Sequence, residues 1–262
     1  MPKVAVIGGS GVYDPQLLDN VQDKEIETIY GKAKVAIGTY KGIEVAFMAR
    51  HGSGHSVPPG KINYRANIQA LKDIGVEHVI STSAVGSLQQ DVPPGTFVLL
   101  NNFLDFTKAR EATFFDGGVR GVAHVDVTNP YCPTLGPSIF KQAKEMGINI
   151  LETGTYVCCE GPRYETGAEV KLYSSFGGTV VGMTNVPECV LAREAELCYQ
   201  TICIVTNYAA GISPTKLTHK EVVELMAENI EALKKLVFTV IENIDMGKRT
   251  CSCATALEGA SG

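Results

Sequence analysis

The sequence predicts a single α/β domain. Short apolar strands alternate with segments of helical periodicity along the chain, no internal repeat or linker breaks the alternation, and polar residues collect where strands end. The 262 residues suffice for one large domain, and 45% hydrophobic with 19% charged residues allow a substantial core. The domain is placed at residues 1–246, followed at 247–262 by a small-residue tail carrying a Cys-x-Cys.

Each element follows from local chemistry. Residues 4–7 (Val-Ala-Val-Ile) read as a buried strand, and Gly8-Gly9-Ser10-Gly11 follows it. Asp14 stands where a dinucleotide fingerprint needs its third glycine, so that reading fails. A tight turn offering backbone N–H groups and the Ser10 hydroxyl to an anion survives. Residues 35–40 and 43–48 flank Lys41-Gly42 as a hairpin. The second strand of that hairpin runs into Arg50-His51-Gly52 with His55, where a guanidinium fork and an imidazole suit an anion.

Pro58-Pro59-Gly60 ends that segment, and Asn63 caps a helix over 64–74, with Tyr64, Ile68, Leu71 and Ile74 at helical spacing. A strand at 78–81 leads into a hydroxyl-rich turn at 82–87, the kind of strand end where α/β sheets hold ligands. A strand at 96–100 follows Pro93-Pro94-Gly95. Residues 101–137 read as a long irregular segment with His124 and five aromatic rings, suited to subunit contact. Next come a helix at 137–146 and strands at 155–159, 179–183 and 201–206, with a helix after Thr184-Asn185-Val186-Pro187-Glu188. The last helix opens on the capping box Thr218-His219-Lys220-Glu221, with Val222, Met226, Ile230, Leu233, Val237, Val240 and Ile244 on one face.

Composition excludes several classes. A net charge of −5 argues against nonspecific nucleic-acid binding, and no run approaches the ~18 apolar residues of a membrane span. Residues 1–7 show no signal-peptide pattern, so a cytoplasmic protein is expected. Six of the eight cysteines sit in apolar segments as small buried hydrophobes, and Cys251 and Cys253 form the tail pair. Without paired C-x-x-C spacing no metal is expected, and the tail pair is open between thiols and a disulfide.

Taken together, Gly8-Gly9-Ser10-Gly11, Arg50-His51-Gly52, Asn63-Tyr64-Arg65-Ala66-Asn67, Ser83-Ala84-Val85-Gly86-Ser87, Glu160-Gly161-Pro162-Arg163-Tyr164 and Gly182-Met183-Thr184-Asn185-Val186-Pro187-Glu188 resemble the trimeric purine nucleoside and methylthioadenosine phosphorylase family. The resemblance runs from about Val4 to Ile244. It implies one α/β domain on a mixed, partly barrel-like β-sheet surrounded by helices, assembled as a homotrimer or a dimer of trimers. It implies phosphorolysis of a purine nucleoside, with inorganic phosphate as co-substrate and no other cofactor. By the same resemblance Ser10, Arg50, His51, Ser83, Ala84 and Thr184 hold phosphate. Met183 and Tyr164 flank sugar and base, Glu165, Asn207, Tyr208 and Ala209 meet the base, and Arg50, His51 and Asn207 carry catalysis.

The branch within the family follows from three positions. Methylthioadenosine-specific members place a serine, an aspartate pair and a small apolar residue where this chain has Glu165, Asn207 with Ala209, and His219. Those are residue types of the 6-oxopurine branch. A glutamate carboxylate accepts from N1–H, an asparagine amide donates to O6 or N7, and a histidine meets a 5′-hydroxyl. Inosine and guanosine are therefore the expected substrates, with methylthioinosine or methylthioadenosine as the alternative. A water-using nucleosidase and a non-catalytic nucleoside sensor are the rival classes.

Overall fold

The computed structural model describes residues 1–8, 17–52, 54, 56–212, 219–247 and 249–260. In chain order the strands are β1 (Val4–Gly8), β2 (Asp19–Thr28), β3 (Gly31–Tyr40), β4 (Ile43–Ala49), β5 (His78–Ser87) and β6 (Phe97–Leu99). They continue as β7 (Asn102–Phe106), β8 (Ile150–Leu151), β9 (Thr155–Cys159), β10 (Val180–Gly182) and β11 (Cys198–Tyr208). The helices are α1 (Tyr64–Asp73), α2 (Leu135–Glu145), α3 (Gly167–Ser175), α4 (Asn185–Glu194) and α5 (His219–Asn243).

The strands form one mixed sheet that forks at β5. One arm runs β2-β3-β4-β1-β5-β10-β9-β7, and the other leaves β5 through β11 to β6 and β8. Strand periodicity sorts the core onto two faces. Val4, Val6, Val45 and Phe47 pack with Leu135 and Ile139 of α2 and Leu233 and Val237 of α5. Their neighbours Ala5, Ile7, Ala46 and Met48 pack with Ile68 and Leu71 of α1 and Leu191 of α4. α1 starts where expected, the Asn63 side chain accepting from the Ala66 N–H at 3.0 Å.

Several elements depart from the sequence reading. β2 carries charges along an exposed edge and shows no apolar run, which is how edge strands avoid pairing with another chain. β7 lies inside the segment expected to be irregular. The rest of that segment is clamped by Arg110, which donates to the carbonyls of Val186 (2.6 Å), Glu160 (2.9 Å) and Cys159 (3.2 Å). α2 begins two residues before Pro137, because the first helical turn needs no intrahelical donor. α3, not expected from the sequence, opens on a capping box: Thr166 accepts from the Glu169 N–H while the Glu169 carboxylate accepts from the Thr166 N–H. The expected turn at 82–87 is the continuation of β5, and β11 extends beyond 201–206 at both ends. α5 begins at His219, and Thr218 of its expected capping box lies outside the described residues.

Candidate active site

The site begins with a gap in the sheet. On one side of β5, residues 78–81 pair with β1 and Gly86 and Ser87 pair with β10, so residues 82–85 have no strand partner there. Ser83 and Ala84 are accordingly accessible in the middle of an otherwise buried strand. Both residues line a cavity of about 840 Å³, in the size range of small-molecule sites.

β11 supplies the opposite wall through a bulge. Its register with β5 shifts between Val205 and Asn207, which inserts Thr206 as an extra residue. A bulge flips the phase of the strand, so Ile204 and Thr206 face the cavity before it and Asn207 and Ala209 after it. Tyr208 falls on the other side, where its hydroxyl donates to the Gln90 carbonyl at 3.1 Å. Tyr208, expected to meet the base, is not among the residues that line the cavity. The Asn207 amide is held on both sides, Oδ1 accepting from Thr206 Oγ1 at 2.9 Å and Nδ2 donating to the Tyr208 carbonyl at 3.0 Å.

Arg50 lines the cavity from the end of β4, and its fork is already taken. Nε donates to Glu188 Oε2 at 2.6 Å, Nη2 to Glu188 Oε1 at 2.8 Å and to Ser81 Oγ at 2.6 Å, and Nη1 to the Thr82 carbonyl at 3.2 Å. Among the described residues, four of its five N–H groups have acceptors and one on Nη1 has none. Burial pushes the guanidinium down, but the adjacent Glu188 carboxylate outweighs that and raises it above its ordinary value. Glu188 Oε1 also accepts from Ser81 Oγ at 2.8 Å and from the Tyr199 hydroxyl at 2.7 Å. The guanidinium fork expected to face an anion is held instead by Glu188, with Arg50 still among the residues that line the cavity.

His51 follows Arg50, with Nδ1 at 2.9 Å from the Val57 carbonyl. A carbonyl only accepts, so Nδ1 carries a proton. Thr184 is buried before α4, its N–H donating to the Tyr156 hydroxyl at 3.3 Å. Met183 is pressed from below by Gly161, whose φ of +68° suits glycine and whose Cβ, if present, would sit 2.6 Å from the Met183 sulfur.

Tyr164 is 39% exposed at the cavity and Glu165 is 9% exposed beside it. Burial raises the Glu165 carboxyl above its ordinary value of 4.5, only partly offset by hydrogen bonds from its own backbone N–H and from Cys159.

Of the residues expected at the site, Arg50, His51, Ser83, Ala84, Tyr164, Glu165, Met183, Thr184, Asn207 and Ala209 therefore surround one cavity. Ser10, His55 and the His219 side chain lie outside the described residues. Thr82, which sequence reasoning placed only within the hydroxyl-rich turn, has its Oγ1 buried without a partner among the described residues, and sequence reasoning missed the α5 wall of Val223, Met226, Ala227 and Ile230. Thr82 was legible as the first hydroxyl after an apolar strand. The α5 wall was not, because Met226 and Ile230 read as ordinary core positions.

The model of the Phosphorylase superfamily matches residues 3–242. A Thermococcus kodakarensis protein named "Probable 6-oxopurine nucleoside phosphorylase" is 56% identical over 267 residues, covering 100% of both chains. The S-methyl-5′-thioadenosine phosphorylase of Thermofilum pendens is 48% identical over 260 residues, covering 98% of both. The crystal structure of a methylthioadenosine phosphorylase from an antarctic soil metagenomic library superposes with a TM-score of 0.91 at 35% identity, covering 99% of this chain and 92% of that one. On a match spanning nearly its whole length and a cavity built at the fork of its sheet, this chain belongs to the phosphorylase superfamily.

Proposed function

We propose that the protein is a 6-oxopurine nucleoside phosphorylase, cleaving inosine and guanosine with inorganic phosphate to give free base and ribose 1-phosphate. The observation that carries this reading is the pairing of Glu165 with Asn207 in one cavity. As a carboxylate, Glu165 accepts from the purine N1–H, and the Asn207 amide donates to O6 or N7. Phosphate then takes the floor, where the remaining Arg50 N–H, the Ser83 hydroxyl and the backbone of residues 82–85 converge with His51 and Thr184. Ser10, outside the described residues, is included in that shell on the family resemblance alone. Glycosidic cleavage leaves a cationic sugar, and a phosphate held against its anomeric carbon both stabilises that charge and attacks it.

The deciding experiment measures base release from inosine with and without phosphate. Release should require phosphate and yield ribose 1-phosphate. Equal release in phosphate-free buffer would identify a nucleosidase, and no release at all a sensor.

A second reading rests on the apolar α5 wall, which would suit a methylthio substituent and would make methylthioinosine the substrate. The ratio of kcat/KM for inosine and methylthioinosine separates the two. A clear advantage for the methylthio compound would displace the first reading.

The raised Glu165 carboxyl gives this reading a pH signature. The acid limb of kcat/KM for inosine should lie above the ordinary glutamate value of 4.5, because protonation there removes the N1–H acceptor. Stability moves the opposite way. A carboxyl raised in the folded state contributes stability fully below its unfolded pKa, and that contribution is lost as pH rises through the folded value. Glu165→Gln should abolish the limb while lowering kcat/KM at neutral pH; an unchanged limb in that variant would remove Glu165 from the base site.

The protein is further proposed to assemble as a homotrimer or a dimer of trimers. Exposed Val119, Val122 and Val127 in the segment between β7 and α2 support such contacts. Light scattering after gel filtration tests the stoichiometry.

A further inference from the structure

Four of the eight cysteines meet in space although they are scattered in sequence. The sulfur atoms of Cys132, Cys198, Cys251 and Cys253 all lie within 4.8 Å of one another, and Cys198 Sγ is 3.3 Å from Cys251 Sγ. Cys132 sits just before α2, Cys198 opens β11, and the other two belong to the tail. Spacing rules missed the group because its second pair comes from two distant segments and not from a C-x-x-C. We propose that these four cysteines form a tetrathiolate site for a soft four-coordinate divalent cation, best matched by zinc, which pins the tail to the domain.

The geometry favours an ion held by all four. In a tetrahedral zinc site with Zn–S of about 2.3 Å the sulfurs stand about 3.8 Å apart, so four mutual neighbours within 4.8 Å need only small side-chain shifts to close round a metal. Cys132, Cys198 and Cys253 are buried and Cys251 is half-buried, which encloses the site yet leaves a path for entry.

The surroundings resemble a second coordination shell. The Leu135 N–H donates to Cys132 Sγ at 3.4 Å, as backbone amides do to metal-bound thiolates. Four thiolates on one divalent ion leave a net charge of −2, and their protons go to solvent. His78, paired with Cys198 across β5 and β11, is buried with Nδ1 unpartnered among the described residues, and Arg249, two residues before Cys251, donates to the Glu196 carbonyl at 2.6 Å.

The site lies far from the cavity. Cys198 pairs with His78 at the start of β5, whereas Asn207 stands near the other end of β11, about 30 Å away along the strand. The tail also bonds to the domain where the His124 N–H donates to the Ala260 carbonyl at 2.8 Å, so an ion in the cluster would fasten a segment already docked. The expected consequence is structural and leaves turnover at ambient temperature unchanged.

The test uses the full chain, reduced and equilibrated anaerobically with zinc, then freed of excess. One zinc per chain should remain by elemental analysis. Cobalt(II) in its place should give the thiolate charge-transfer and visible d–d bands of a tetrahedral tetrathiolate. The Cys251→Ser/Cys253→Ser double variant should bind cobalt at least tenfold more weakly and lose any zinc-dependent rise in Tm, while Cys189→Ser keeps both. Protein isolated with disulfides among these residues but taking up one zinc after reduction still supports the site. Reduced wild-type protein that retains no zinc, or a double variant that retains it as wild type does, overturns the proposal.

Discussion

Arg50→Ala is expected to lower phosphate-dependent kcat/KM by about three orders of magnitude, on the scale of losing a buried donor aimed at a reacting anion. It is also expected to destabilise the fold by ~3–5 kcal/mol, because Glu188 would be left buried without its counter-ion. The two losses have different causes and can be separated. Glu188 takes both Nε and Nη2 of Arg50, so a matched pair of changes, Arg50→Met with Glu188→Gln, removes the stranded charge. The amide oxygen introduced by Glu188→Gln still accepts from Ser81 and Tyr199. Urea unfolding should show most of the stability recovered in the double variant, and steady-state kinetics should show activity still lost. Arg50→Lys should lie between, since an ammonium cannot span both carboxylate oxygens. Undiminished phosphorolysis in Arg50→Ala would remove Arg50 from the phosphate site.

Wild-type protein is expected to prefer inosine and guanosine over adenosine by about a hundredfold or more in kcat/KM, because adenine mismatches two polar partners, buried Glu165 and half-buried Asn207, at ~1–3 kcal/mol each. Asn207→Asp should narrow that preference by at least tenfold. The bonds from Thr206 and to the Tyr208 carbonyl orient the amide, and one Nδ2 proton remains for the base. An ionised aspartate has no proton to give O6 and would face the Tyr208 carbonyl with like polarity; when protonated it can donate to N7 of adenine. The inosine rate should fall more than the adenosine rate rises, because Glu165 still favours N1–H. Equal cleavage of adenosine and inosine by wild-type protein would refute the base assignment.

The parts of this molecule legible in sequence are those whose chemistry is local. β1, β4 and β9 show as apolar runs, α1 as a spaced stripe behind an asparagine cap, and ten of the expected site residues line one cavity, delivered by the unpaired middle of β5, the end of β11 and the segments that follow β4, β9 and β10. What stayed hidden depends on relations between segments. The bulge at Thr206 exists only against the register of β5, and without it Tyr208 reads as a cavity residue. Glu188 reads as one acid in an apolar helix until β4 brings Arg50 against it. β2 lacks an apolar run because one of its sides faces water, and the cysteine cluster joins residues more than a hundred positions apart.

The unpaired stretch of β5 has a bearing on how such a protein can change. On the proposed reading phosphate meets peptide groups there, which every amino acid carries, so side-chain replacement at Ser83 or Ala84 would alter the trim of the floor and not its framework. A lineage exploring new nucleosides is thereby free to vary the rim, at Glu165, Asn207 and the α5 wall, while the anion-holding half is inherited intact. Insertions and deletions are another matter. A one-residue slip in β5 would slide its partnerless stretch out from beneath the cavity, so selection at this strand should act on length far more than on identity.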